Sequence, residues 1–230
     1  MSQAPIIGSV LAVLTGKAAP FVRPGAVSAI AKQPASGRVY AGELGLDGDE
    51  QGDPRFHGGP HKALHLYAFE HYARWREDIG ARPVLRQPGA FGENISTLGV
   101  DESTLCLGDQ LAIGAAVLEI SQGRQPCWKL NHRLDQRDMA KRLQDSGRTG
   151  WYCRVLQSGE IGAGDDIRLQ ARPHPEWSLA RLAEVFYQRG LERELLLEAA
   201  KLPLVESWRT LIEKRLESGQ LEDWSRRLEG

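Results

Sequence analysis

Reactive side chains concentrate in Ser121-Gln122-Gly123-Arg124-Gln125-Pro126-Cys127-Trp128-Lys129-Leu130-Asn131. A single thiol stands there in a polar turn, directly after an apolar run. Arg124 and Lys129 flank it, and nearby cations favour thiolate, which would make Cys127 a nucleophile or a soft metal ligand. Pro126 restricts the turn that carries it. The same residues also suit an inert, partly buried cysteine. Cys106 lies between Leu105 and Leu107, and Cys153 follows Trp151-Tyr152, so both read as packing residues. Three widely separated cysteines supply neither a disulfide framework nor a CxxC motif.

A second concentration runs from Asp53 to Lys62 and includes His57-Gly58-Gly59-Pro60-His61-Lys62. The paired glycines let backbone approach an anion, and Pro60 reads as a helix start whose amides, with the Lys62 ammonium, would favour phosphate or carboxylate. A solvated Gly-Pro connection is the plain alternative. His61 and His65 have the spacing of one helix face, but no His-Glu-x-x-His motif or third ligand accompanies them, so zinc is disfavoured. In Gly92-Glu93-Asn94-Ile95-Ser96, the Asn94 amide both donates and accepts, as the edge of a pterin or purine requires; the stretch could equally be a self-satisfied turn. Lys32 and Arg38 flank a small-residue turn and could each line a pocket or face water. No G-x-S-x-G serine elbow is present, and Gly45 to Gly52 lacks the Gly-Lys-Ser/Thr of a phosphate loop.

These residues need a scaffold. The chain has 230 residues, 41% hydrophobic and 26% charged, the balance of an ordinary globular protein. Of its 25 glycines only Gly190, Gly219 and Gly230 lie beyond residue 170. The first part therefore reads as short strands punctuated by Gly and Asp, and the second as helical. Candidate strands are Ile7–Leu14, Val27–Ala31, Val39–Leu44, segments of Leu105–Ile120, Trp151–Leu156 and Ile167–Leu169. Helical insertions are expected over His61 to about Asp78 and Asp135 to about Asp145. With no strand-helix repeat, the expected fold is mostly β with α: a closed β barrel with inserted helices, whose closure removes the strand edges, followed by a small three-helix domain. The expected domains are 1–172 and 173–230. In the second, Ser178 is an N-cap, Leu179, Leu182, Ala183 and Phe186 form one apolar stripe, and Leu191, Leu195 and Ala199 form another. A third comprises Val205, Trp208, Leu211, Ile212 and Leu216. Trp208 and Trp224 read as packing residues.

Lysine and arginine total 29 against 30 acids, a balance that offers no polybasic footprint for a nucleic-acid polymer or membrane surface. With no run of about 20 apolar residues and no signal-peptide pattern, a cytoplasmic location is expected. A homodimer is left open.

The motif Arg124-Gln125-Pro126-Cys127-Trp128-Lys129-Leu130-Asn131 resembles the MOSC family, named for the C-terminal module of molybdenum-cofactor sulfurases, and within it the bacterial YiiM branch. In order along the chain, Ser28-Ala29-Ile30-Ala31-Lys32, Gly45-Leu46-Asp47-Gly48-Asp49, His57-Gly58-Gly59-Pro60, Phe91-Gly92-Glu93-Asn94-Ile95-Ser96, Gly150-Trp151 and the tail Gly219 to Leu228 share the likeness. The resemblance implies a MOSC β barrel followed by three helices, with Cys127 ligating molybdenum in the molybdenum cofactor. It further implies that Lys32, Arg38, His57, Gly58, Gly59, Lys62, Asn94, Ser96, Arg124 and Lys129 line the cofactor cavity, and that His57, His61 or His65 delivers protons. The implied activity is reduction of free N-hydroxylated bases such as 6-hydroxylaminopurine to the amine, a detoxification. No flavin or nicotinamide site is evident, so a separate flavoprotein reductase would supply electrons. A cofactor carrier, or a sulfurtransferase cycling persulfide on Cys127, would use the same cysteine.

Overall fold

The computed structural model describes residues 4–53 and 57–230; Pro54, Arg55 and Phe56 of the second stretch lie outside them. Thirteen strands are described. β1 (Ile6–Thr15) is followed by the short β2 (Ala19–Pro20), β3 (Val27–Ser28), β4 (Gln33–Pro34), β5 (Val39–Gly42) and β6 (Gly45–Leu46). Longer strands follow: β7 (Leu64–Ala68), β8 (Ile95–Leu98), β9 (Gln110–Ile113), β10 (Ala116–Gly123), β11 (Trp151–Gln157), β12 (Gly159–Ile161) and β13 (Asp166–Ala171).

Seven of them close a barrel in the order β13-β9-β10-β11-β7-β8-β1, with β1 returning to β13. All neighbours are antiparallel except β7 and β8, which run parallel with Leu66 opposite Ile95. β1 serves three partners in turn, β13 through Ile6 to Ser9, β8 through Ser9 to Val13 and β4 through Leu14 and Thr15. Its register shifts at Ile6/Gly8 and Val10/Ala12. Such bulges bend and twist a strand, as closing a small barrel requires.

Alternation sorts the side chains. Leu64 and Leu66 of β7, Ile95 of β8, Leu111 and Ile113 of β9, Leu118 and Ile120 of β10, and Trp151 and Cys153 of β11 belong to one buried cluster. Residues of opposite parity, among them Tyr67, point away into a second cluster with Tyr72, Trp75, Phe91, Leu130, Met139 and Leu143. That cluster lies under helices α1 (His71–Ile79), α2 (Lys129–Arg133) and α3 (Met139–Ser146).

The expected helix from His61 to Asp78 is therefore corrected. It divides into a single 3-10 turn (Pro60–Lys62), the strand β7 and then α1. Burial on both faces removes the polar alternation that marks a half-exposed strand, and Leu64-His65-Leu66-Tyr67-Ala68 then imitates a helical stripe. The second insertion begins earlier than expected, with α2 directly after the cysteine turn, and α3 starts at Met139 rather than Asp135. β8 occupies residues read as part of a turn.

Beyond β13, Ser178 caps α4 (Leu179–Ala183), its Oγ accepting the Arg181 N–H at 3.1 Å. α4 widens into a π-helical turn over Glu184–Gln188, and α5 (Arg193–Ala199), α6 (Glu206–Ser218) and α7 (Ser225–Leu228) follow. The buried Arg215 of α6 donates to the Val185 and Phe186 carbonyls at 3.2 and 3.0 Å and pairs with Glu222, which satisfies the carbonyls that the wide turn leaves open. Leu191 of the expected second stripe is exposed, whereas Leu195 and Ala199 are buried. Trp177, Leu182, Phe186, Leu196, Trp208 and Ile212 are continuous with the barrel cluster. The helices thus bury their apolar faces against the barrel as well as each other. No helix among the described residues is long and apolar enough to cross a membrane.

Candidate functional site

Where β10 ends, the Arg124 N–H donates to the Gly150 carbonyl at the start of β11, 2.9 Å. The chain then turns through Pro126, and the Leu130 N–H returns to the Cys127 carbonyl at 3.0 Å to open α2. Cys127 is thereby held, half-buried, on the wall of a cleft. Cys106 and Cys153 are buried, as their neighbours predict.

The opposite wall is formed by Ser28–Ile30, Lys32 and Asp49–Gly52, and His57, Lys62, His65, Phe91, Gly92, Asn94, Arg124, Lys129 and Tyr152 complete the lining. The two wall segments touch because residue 52 is glycine. A Cβ there would lie 2.5 Å from Ser28 Cα and the Val27 carbonyl. The cleft opens to solvent, and the space within it that water-sized groups can occupy is about 80 Å³.

One wall is organised by Asp49, which sequence reasoning passed over. Its carboxylate accepts from the Gly16 N–H and Asn94 Nδ2, each at 2.8 Å, and forms a buried ion pair with Lys32. Burial lowers the Lys32 pKa despite that partner. Asn94 is consequently a brace. Its Oδ1 accepts the His65 N–H at 3.1 Å, and its amide nitrogen serves Asp49 and the Leu14 carbonyl. The Nδ2 hydrogens are thus directed within the protein, while Asn94 itself lines the cleft.

The floor is different. His65 and Tyr152 are cross-strand partners on β7 and β11, their rings 5.2 Å apart. Arg124 is buried beside them, yet its Nη1 has no hydrogen-bond partner, and neither has His65 Nε2. An unpaired buried donor such as Arg124 Nη1 is costly unless something completes it. Lys32, Lys62, Arg124 and Lys129 face the cleft against Asp49 and Glu50, so the lining is locally cationic in a chain of net charge −1. Burial and the cations Lys129, Lys62 and Arg124 push His57 down to about 4. Burial, with Arg124, holds His65 well below the usual histidine range. Both imidazoles are neutral at pH 7, weak bases suited to accept a hydrogen bond without taking the proton. Burial also lowers the Lys62 pKa, which the neighbouring Cys127 opposes.

Of the expected residues, Lys32, His57, Lys62, His65, Asn94, Arg124, Cys127 and Lys129 meet in this cleft. Arg38 does not, because its guanidinium is bound to Asp165 by two bonds of 2.8 and 2.9 Å and to the Glu160 carbonyl at 2.9 Å. His61 is exposed, with Arg154 and Glu119 as its charged neighbours. Ser96 is fully buried in β8, and Gly58 and Gly59 stand outside the lining. The Pro60 turn is three residues long, and its Lys62 N–H donates to the Gly59 carbonyl at 2.9 Å. Tyr152 was legible from strand alternation, since Cys153 faces the core. Asp49 stands in the Gly45–Asp49 stretch that shares the family likeness, but sequence reasoning gave it no role.

A family model described as "MOSC domain" matches residues 53–168, half of the chain. The chain belongs to the MOSC family. Within that family it falls in the YiiM branch: residues 177–219 match a model described as "YiiM-like, 3-alpha helix domain". It is 38% identical over 221 residues to "Protein YiiM" of Escherichia coli strain K12, covering 95% of this chain and 97% of that protein. The crystal structure of YiiM from Escherichia coli superposes with a TM-score of 0.82 at 32% identity, covering 98% of this chain and 100% of that one. A Gibberella moniliformis protein named "Reductase" is 38% identical over 192 residues, which are 83% of this MOSC chain but 34% of that longer protein.

No group of three or more His, Cys, Asp and Glu that could hold a metal occurs among the described residues. A metal bound at Cys127 would therefore bring most of its ligands with it, as one chelated by an organic cofactor does. The lone half-buried thiol, the cationic lining and the unpartnered Arg124 Nη1 fit an anionic cofactor of that kind.

Proposed function

We propose that this chain is a molybdenum-cofactor-dependent reductase that converts free N-hydroxylated bases such as 6-hydroxylaminopurine to the amine. The reaction consumes two electrons and two protons and breaks the N–O bond, leaving N–H and water. The carrying observation is the convergence of Cys127 with a buried guanidinium whose Nη1 lacks a partner. Membership of the YiiM branch and a relative named "Reductase" support the redox reading.

Cys127 would supply one soft thiolate ligand, and Arg124, Lys62 and Lys129 would hold the anionic part of the cofactor. When bound, the cofactor supplies the two-electron couple and an oxygen-accepting position. Lys32 is committed to Asp49 and contributes rigidity to the wall. Neutral His57 and His65 would accept hydrogen bonds from the N–H and O–H groups of the base, and Lys62, its acidity raised by burial, would deliver a proton to the departing oxygen. Ile30 offers apolar contact to a flat ring. The electrons would come from a separate flavoprotein reductase.

The test is adenine formation from 6-hydroxylaminopurine by cofactor-loaded protein with a flavoprotein donor. Native protein should turn over, and Cys127→Ser should lose molybdenum and activity by on the order of 100-fold or more. Equal activity in Cys127→Ser, or activity without the cofactor, would refute the reading. Tight cofactor binding without adenine would make the chain a carrier.

A further inference from the structure

The cysteine turn is held from outside the barrel by one residue of α7. Arg227 Nη1 donates to the Pro126 carbonyl at 2.6 Å, while the Arg227 carbonyl accepts the Trp128 N–H at 2.8 Å. Both chain neighbours of Cys127 are thus bonded to the same residue. Arg227 Nη2 donates to Gln144 Oε1 at 2.6 Å, which anchors the guanidinium to α3. It also lies 5.4 Å from the centre of the Trp224 ring. Asn131 Nδ2 donates to the Leu228 carbonyl and Arg23 to the Glu229 carbonyl, each at 2.8 Å, so the same segment is fastened on both sides.

We infer that Arg227 is a positioning residue for Cys127: it fixes the peptide planes flanking the cysteine and holds a guanidinium charge beside that turn. Among the described residues the guanidinium forms no ion pair; its acceptors are a backbone carbonyl and an amide. Burial lowers its pKa, while attraction to Tyr187, Cys127 and Glu222 opposes. A leucine or methionine of similar length could fill the same space, but could neither bind the Pro126 carbonyl nor carry charge. The inference makes the helical region part of the site and rests on Cys127 being the functional thiol.

The test compares alkylation of Cys127 by iodoacetate and iodoacetamide in the full-length protein without cofactor, at one pH, followed at the Cys127 peptide by mass spectrometry. The thiolate fraction is common to both reagents and cancels in the ratio of their rates. A nearby positive charge favours the anionic reagent, so Arg227→Gln should lower the iodoacetate-to-iodoacetamide ratio about threefold in dilute buffer, and 1 M salt should largely abolish the difference. Arg227→Lys should restore the ratio, and Arg226→Gln, on the same helix, should leave it at the native value. An unchanged ratio in folded Arg227→Gln would overturn the inference. So would loss of folding in both Arg227→Gln and Arg227→Met, since the residue would then be structural alone. This readout needs no cofactor, so it separates failure of the Arg227 inference from failure of native protein to bind molybdenum.

Discussion

Replacing Asp49 with alanine should test whether the cleft wall is built on a buried charge. Asp49 and Lys32 side chains are 4% and 7% exposed and directly paired. Removing one partner of a buried ion pair costs about 3–5 kcal/mol, because the survivor is left charged and desolvated. The Gly16 N–H and Asn94 Nδ2 would also lose their acceptor, each a loss of about 1 kcal/mol. Lys32, whose pKa burial already lowers, would relieve part of the penalty by shedding its proton. The net expectation for Asp49→Ala is about 4 kcal/mol, which for a chain of this length lowers the Tm by roughly 8–16 °C. Lys32→Met alone should cost less, about 2–3 kcal/mol, because Asp49 keeps two donors. In the double variant no orphaned charge remains, so its loss should fall short of the sum by about 2–3 kcal/mol. Thermal and urea unfolding of the four proteins measure this cycle. Additivity within about 0.5 kcal/mol would show that the two charges do not support one another, and the account of the wall would fail.

Three further outcomes follow from the same geometry. His57 should stay neutral above about pH 5 in side-chain NMR. Its folded pKa lies below the unfolded value near 6.5, so the unfolded chain binds the extra proton and stability should fall as pH drops from about 6.5 to about 4, by at most about 3 kcal/mol; a midpoint near 6.5 in folded protein would refute this. Arg124→Met should unfold no more readily than native protein, within about 1 kcal/mol, because it removes an incompletely bonded guanidinium, yet it should lose molybdenum-cofactor retention measured by metal analysis. Gly150→Ala should lower stability by about 2 kcal/mol or more in thermal melts, since Gly150 has φ +76° and the added Cβ would lie 2.7 Å from both His65 Nε2 and the Leu66 carbonyl.

Cys127 was legible because its signal is local: cations and a proline surround one thiol in a polar turn. The barrel was legible in outline from the density of glycine-punctuated apolar runs before residue 170. Strand β7 was not, since Leu64–Ala68 is buried on both faces and carries His65 and Tyr67 where a surface strand would carry solvated side chains. Arg38 shows the limit for charged residues. Its partner Asp165 is 127 positions away, and nothing near Arg38 distinguishes a pocket cation from half of a distant ion pair. Asn94 shows the corresponding limit for amides, whose donor and acceptor groups suit a base edge or a backbone equally well. The role of Arg227 depends on α7 crossing the cysteine turn, a contact between segments 101 residues apart.

The parallel pairing of β7 with β8 constrains how this architecture can diverge. Two parallel neighbours cannot be joined by a hairpin, so the chain must travel back along the outside before β8 can begin. The return path, residues 69–94, carries α1 and ends in the braced stretch where Glu93 accepts the Gly89 N–H at 2.8 Å and Asn94 supports His65. Shortening it would break the strand order, whereas extra residues at the exposed Gly80–Ala81 tip would hang clear of the cleft. Length variation among chains of this design should therefore gather at that tip, and the Gly89–Asn94 end should tolerate almost none.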